Sequence, residues 1–158
     1  MKLCRFGKRE FLCDPEATRC AYEAIKSGAS EECGCDECRN FATARGHAYS
    51  SDFLLLLRRL GIDFRREAEV YWQGPAGAGR HLYGGWFHFV GSLETKAHTG
   101  NAVAEDFGNV DVERLEKESL VLFGAGGSLV RDAFAGQPVV QLEFEVEIPW
   151  VIEAAEPE

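Results

Sequence analysis

The 158-residue chain has no lysine- or arginine-rich run, and its formal net charge is −9 with an isoelectric point near 5.0. Nucleic acid and anionic membranes both demand a basic footprint, so neither is expected as a partner. No apolar stretch approaches the ~20 residues that cross a bilayer. The first residues, Met1-Lys2-Leu3-Cys4-Arg5-Phe6, lack the apolar core of a secretory signal. The default compartment is then the cytoplasm, where the six cysteines are expected as thiols or metal ligands rather than disulfides. Repeats and low-complexity tracts are absent. So is any Ser/His/Asp ordering, paired-acid spacing or phosphate loop specific enough to name a reaction, and the expectation leans away from an enzyme.

What is present suffices for a core. With 46% hydrophobic residues, positions 1–150 read as one domain stable without disulfide staples, followed by an acidic, frayed tail over 151–158. Leu3, Cys4 and Phe6 before Gly7-Lys8, and Phe11, Leu12 and Cys13 after it, predict a hairpin. A two-residue turn puts Cys4 opposite Phe11 and diagonal to Cys13; a four-residue loop puts Cys4 opposite Cys13, and the sequence leaves both open. Asp14-Pro15 starts a helix running to about Ser27, with Ala17, Cys20, Ala21, Ala24 and Ile25 as its inner stripe. A second helix begins near Cys35 and ends before Gly46, with Cys38, Phe41 and Ala42 on one face and Arg45 complementing the dipole. Ser50 or Ser51 caps a third, Asp52 to Leu60, closed by Gly61.

From residue 67 the period becomes two. Ala68, Val70 and Trp72 face one way, Glu67, Glu69, Tyr71 and Gln73 the other, and 74–79 reads as a loop. His81 to Leu93 is apolar on both faces and predicts an inner strand, with Gly84-Gly85 marking a bulge or a close approach. Residues 94–111 read as a long loop, 112–118 as a short helix and 120–123 as a strand. In the last strand Val140, Leu142, Phe144, Val146 and Ile148 alternate with Gln141, Glu143, Glu145 and Glu147, the pattern of an antiparallel sheet with one wet face. Helices early and strands late predict an α+β fold: an N-terminal hairpin and three helices on a mostly antiparallel sheet.

The chemistry concentrates at Cys33-Gly34-Cys35-Asp36-Glu37-Cys38. As a metal site, Cys33, Cys35 and Cys38 supply three of the four ligands of a tetrahedral zinc, and the fourth comes from Cys20, Cys13 or a histidine. As a redox site, Cys35 and Cys38 have CxxC spacing at a helix N-terminus, which favours a thiolate, while four nearby carboxylates oppose it. As packing, the thiols need no common purpose. A pocket of aromatic surface around Tyr83, Trp86 and His88 is a further candidate, set against a hydrogen-bonded core histidine. Phe123-Gly124-Ala125-Gly126-Gly127-Ser128 echoes a dinucleotide loop, but Leu129 stands at the third glycine and too few residues follow for a parallel crossover, so a glycine turn explains it.

The stretches Cys33-Gly34-Cys35…Cys38-Arg39-Asn40-Phe41, Leu60-Gly61-Ile62-Asp63, Tyr83-Gly84-Gly85-Trp86-Phe87-His88-Phe89-Val90-Gly91 and Pro149-Trp150-Val151 resemble landmarks of a bacterial family of proteins of unknown function. The resemblance spans most of the chain and implies a bacterial, soluble origin, with no activity or partner attached. The expected function is therefore a cytoplasmic, non-enzymatic binding or interaction domain with a structural cysteine knuckle. The alternatives are a thiol–disulfide protein and a small-molecule binder.

Overall fold

The computed structural model describes residues 1–6, 9–93, 105–106, 117–127 and 129–158. Its elements run β1 (Lys2–Phe6), β2 (Arg9–Cys13), α1 (Pro15–Ala24), α2 (Ala29–Cys33), α3 (Asp36–Ala48), α4 (Ser51–Leu60), β3 (Glu69–Gly77), β4 (Arg80–Ser92), β5 (Glu105–Asp106), β6 (Glu118–Ala125) and β7 (Val139–Pro149). A 3-10 turn at Asp132–Phe134 separates β6 from β7. The fold is α+β: the N-terminal hairpin and the three longer helices pack on a mostly antiparallel sheet of order β5-β1-β2-β4-β7-β6, with β3 also paired to β4. The expected turn type at Gly7-Lys8, most of the helix expected over 112–118 and most of the loop over 94–111 lie outside the described residues; the last position of that helix, Glu118, is instead the first residue of β6. Within that loop, Glu105–Asp106 pairs in parallel with β1.

Alternation decides which side of the sheet the helices cover. Directly opposite residues of antiparallel strands share a face, and the pairs Tyr83↔Val146, Gly85↔Phe144, Phe87↔Leu142 and Phe89↔Val140 all face inward. Phe87 stacks on Phe144 at 5.3 Å between centroids, and Tyr49 meets Phe144 edge-on at 5.4 Å. Phe41 of α3 and Phe53 of α4 complete this aromatic centre. The opposite face carries Trp86, His88, Gln141, Glu143 and Glu145, with Tyr71 of β3 beside them. Gly84 and Gly85 mark a close approach. A Cβ on Gly84 would lie 2.6 Å from the Tyr71 hydroxyl, and one on Gly85 would lie 2.5 Å from the Glu69 carbonyl. The register irregularities sit in β3 instead, between Trp72 and Gly74 and between Pro75 and Gly77, so the strand continues through most of the stretch read as a loop.

β4 has full-length cover from β7 on one edge, but two partial neighbours on the other. β3 pairs as far as Trp86, and β2 begins only at Gly91. The backbone groups between them still need partners, and α1 supplies them. The Tyr22 hydroxyl donates to the His88 carbonyl (2.9 Å) and accepts from the His88 N–H (3.3 Å). The Thr18 hydroxyl accepts from the Val90 N–H (3.0 Å), and the Asp14 N–H donates to the Val90 carbonyl (2.9 Å). These bonds fix the rotation of α1. Thr18, Ala21, Tyr22 and Ile25 face inward, and Cys20 and Ala24, expected on the inner stripe, are exposed. The helix stops at Ala24, short of the expected Ser27, because Ile25 leaves in extended conformation.

Other expectations hold in part. The hairpin takes the register Cys4↔Phe11 and Phe6↔Arg9, and the diagonal Cys4 and Cys13 form a disulfide, both fully buried. That corrects the expectation that all six cysteines are thiols or metal ligands. Ser50 caps α4 and Gly61 closes it at φ +82°. α3 runs past Gly46 to Ala48, since the burial of Ala48 and Tyr49 continues beyond it. The stretch after β7 is not left loose: Trp150 donates to the Ala154 carbonyl (2.8 Å), and Glu156 meets Nε2 of the buried His81 at 2.9 Å.

Burial raises the phenol of Tyr22, and likewise that of Tyr49, above the ordinary value of 10.0. A raised folded value means full stabilisation below about pH 10 and progressive loss as pH rises above it, because the unfolded chain ionises first. Tyr22→Phe is expected to cost about 1–3 kcal/mol in urea unfolding by stripping His88 of its partners, and to flatten the alkaline limb. Tyr49→Phe, whose hydroxyl has no partner among the described residues, is expected to be neutral or stabilising. Equal losses for the two variants would contradict this account.

Candidate metal centre

The site is built where a short helix meets a long one. α2 starts at Gly28, where a Cβ would lie 2.6 Å from both the Glu67 carboxylate and the Arg65 carbonyl. Glu67 precedes β3 and is fully buried. Its Oε1 accepts from the Ser30 N–H (2.9 Å) and from the Ser30 hydroxyl, and its own carbonyl accepts from the Ala29 N–H (3.0 Å). Arg45 of α3 closes the cluster. Its Nη1 lies 3.0 Å from Glu67 Oε2 and 3.1 Å from Ser30 Oγ, and its Nη2 lies 2.5 Å from Glu31. Arg45, expected to complement the helix dipole, does lie in the last turn of α3 and is only 6% exposed. A charge buried that deeply requires a partner, and the buried Glu67 supplies it together with the more exposed Glu31.

This cluster holds the start of α2 and the last turn of α3, and the thiols stand at the opposite ends of the same two helices. α2 ends at Cys33, the chain reverses at Gly34 with φ +78°, and Cys35 caps α3 by accepting from the Cys38 N–H at 3.4 Å. Cys38 sits one turn in and is buried, while Cys33 and Cys35 are exposed. The sulfurs of Cys33 and Cys35 are 3.4 Å apart, and all three lie within 4.8 Å of one another. A tetrahedral ion with metal–sulfur bonds near 2.3 Å sets its sulfurs about 3.8 Å apart, so Cys33, Cys35 and Cys38 can hold a metal ion with little rearrangement.

The proton affinities of the three thiols diverge. Hydrogen bonding from the Cys35 backbone, then from the Cys35 and Cys38 thiols, lowers that of Cys33. Burial raises Cys35, and burial followed by the two neighbouring thiols raises Cys38 strongly. Nearby, Asn40 explains more of the CRNF stretch. Its Nδ2 donates to the Pro149 carbonyl (3.1 Å) and its Oδ1 accepts from the Val151 N–H (2.7 Å), clamping the end of β7 to α3.

Neither expected fourth cysteine ligand joins the three. Cys13 is bonded to Cys4, because the hairpin register sets the two diagonally on one face. Cys20 is turned to solvent by the Thr18 and Tyr22 anchors. The proposed pocket wall also divides. Tyr83 points under α3, donating to the Glu37 carbonyl (3.0 Å), whereas Trp86 and His88 lie on the opposite face of β4. These three side chains therefore do not line one cavity. His88 is a buried histidine with Nε2 3.4 Å from Gln141 Oε1, and burial lowers its pKa. The glycine turn after β6 returns into antiparallel β7, as a turn rather than a dinucleotide loop requires. Glu67 and Asn40 escape sequence reading because polar residues default to the surface. The one available signal was Glu67 at the head of an alternating strand.

No protein-family model, curated protein or solved structure matches the chain.

Removing one partner of a buried ion pair leaves an uncompensated charge and costs about 3–5 kcal/mol, whereas replacing both by apolar groups is often neutral. Glu67→Ala is expected to destabilise by that order in chemical denaturation, and Arg45→Met with Glu67→Leu to be more stable than either single change. A double variant as weak as the sum of the two singles would count against the pairing.

Proposed function

We propose that the chain is a non-enzymatic interaction domain in which Cys33, Cys35 and Cys38 hold one structural zinc ion. The observation that carries this reading is the convergence of three sulfurs from two helix ends that are otherwise joined through Gly34 and Cys35. Thiolates select borderline-soft ions, and zinc adds no redox chemistry of its own. The ion would fasten the end of α2 to the first turn of α3, with its fourth ligand coming from outside the cysteine set. The outer sheet face, where Tyr71 (47% exposed) lies 6.2 Å from Trp86 beside Glu143 and Glu145, supports a role in contacting partners.

A second reading draws on the same thiols: Cys35 is exposed and Cys38 lies within a short reach of it, the arrangement of a reversible disulfide pair. The buried, strongly protonated Cys38 counts against it as a nucleophile.

Elemental analysis of protein purified without chelator is expected to give near one zinc per chain. Chelation or Cys38→Ser is expected to lower the melting temperature by about 5–10 °C, as loss of a few kcal/mol does in a domain of this size. Metal-free protein with an unchanged melt, and a Cys35–Cys38 disulfide that forms and reduces reversibly, would replace the first reading by the second.

A further inference from the structure

We propose that the cleft between α1, α4 and residues 61–66 is a binding site for a small amphipathic anion, an apolar body bearing one carboxylate or phosphate group. The cleft is about 590 Å³, inside the range of about 300–1,000 Å³ typical of small-molecule sites. Its existence follows from one contact. At Gly61 a Cβ would lie 2.2 Å from the Pro15 carbonyl, so the end of α4 is pressed onto the first turn of α1. Beyond that contact Ile62 and Phe64 line the space beside the two helices.

The lining has two parts. Tyr22, Leu54, Leu57, Ile62 and Phe64 give apolar surface, with Leu57 and Ile62 belonging to the core. Around them stand Arg19, Arg58 and Arg66, with Glu23 and Asp63. Arg66 is held, pairing with Asp63 at 3.2 Å and donating to the Tyr22 carbonyl. Arg19 reaches only the Pro15 carbonyl, at 3.5 Å. The Arg58 side chain is exposed and makes no ion pair or hydrogen bond among the described residues. Two guanidinium groups thus stand beside an apolar floor with no acid partner among the described residues, where Glu23 is the one acid of the lining outside an ion pair. In a chain of net charge −9 this is a local reversal of sign. Guanidinium groups bind carboxylate and phosphate bidentately, and the floor accepts the apolar part. A cation of the same shape meets the wrong charge. The site is separate from the cysteine cluster, so its failure leaves the metal reading untouched, and the converse holds.

The test is calorimetric titration of the full chain with decanoate, octyl phosphate and decyltrimethylammonium, each below its micelle concentration, followed by amide chemical-shift mapping. Decanoate or octyl phosphate is expected to saturate at one per chain and to bind at least tenfold more tightly than the ammonium, with shifts confined to α1, α4 and 61–66. Arg19→Glu with Arg58→Glu is expected to weaken the anion at least tenfold. Leu54→Trp, which fills the floor, is expected to abolish binding while the melt stays near wild type. Absence of saturable anion binding, equal binding of the ammonium, shifts centred elsewhere, or affinity unchanged in both variants would each overturn the proposal.

Discussion

The arrangement around the candidate metal centre depends on one buried charge pair. Glu67 has no exposure and Arg45 almost none, so neither can be solvated and each must be met from inside the protein. Meeting them brings three elements to one place. Glu67 stands just ahead of β3, Arg45 lies in α3, and Ser30 belongs to a helix only five residues long. A helix that short has little stability of its own. It persists because its first N–H groups are taken by the Glu67 carboxylate and carbonyl. The end of α2 inherits its position from that beginning, and Cys33 is at the end.

The sequence patterns that proved reliable were those with a single physical cause. The alternation of β7 carried through residue by residue, since one face is core and the other is not. The caps of α1 and α4 worked because Asp14 and Ser50 each satisfy an N–H that nothing else reaches. The stripe of α1 departs from the apolar pattern because apolarity is not its only determinant. The helix is oriented by two hydroxyls that replace a missing stretch of strand, and hydroxyl bearers read as polar. α2 was invisible as a helix for a similar reason: Ala29–Cys33 has no apolar period, and its cause lies 37 residues further along.

At the candidate site, the local part was legible and the distant part was not. Spacing alone brought Cys33, Cys35 and Cys38 together, because a helix end, one left-handed residue and a helix start have little freedom. Two of the fourth ligands the spacing allows, Cys13 and Cys20, have positions that depend on hairpin register and helix rotation. Both are long-range outcomes, and both sent the thiol elsewhere. The pocket reading failed on strand parity, since Tyr83 and Trp86 are an odd number of positions apart. The arginine-rimmed cleft joins residues from two helices and a connection that share no motif, and only their packing reveals it.

The hydroxyl-filled interval in β4 ties exchange behaviour to a helix rather than to a sheet. In an ordinary ladder, a backbone amide reaches solvent when neighbouring strands part. Here the His88 and Val90 amides are guarded by Tyr22 and Thr18, so they open to deuterium when α1 lifts away, even with every strand still zipped. Two amides of β4 thereby report on the attachment of α1, and their protection is a local free energy of docking rather than of unfolding.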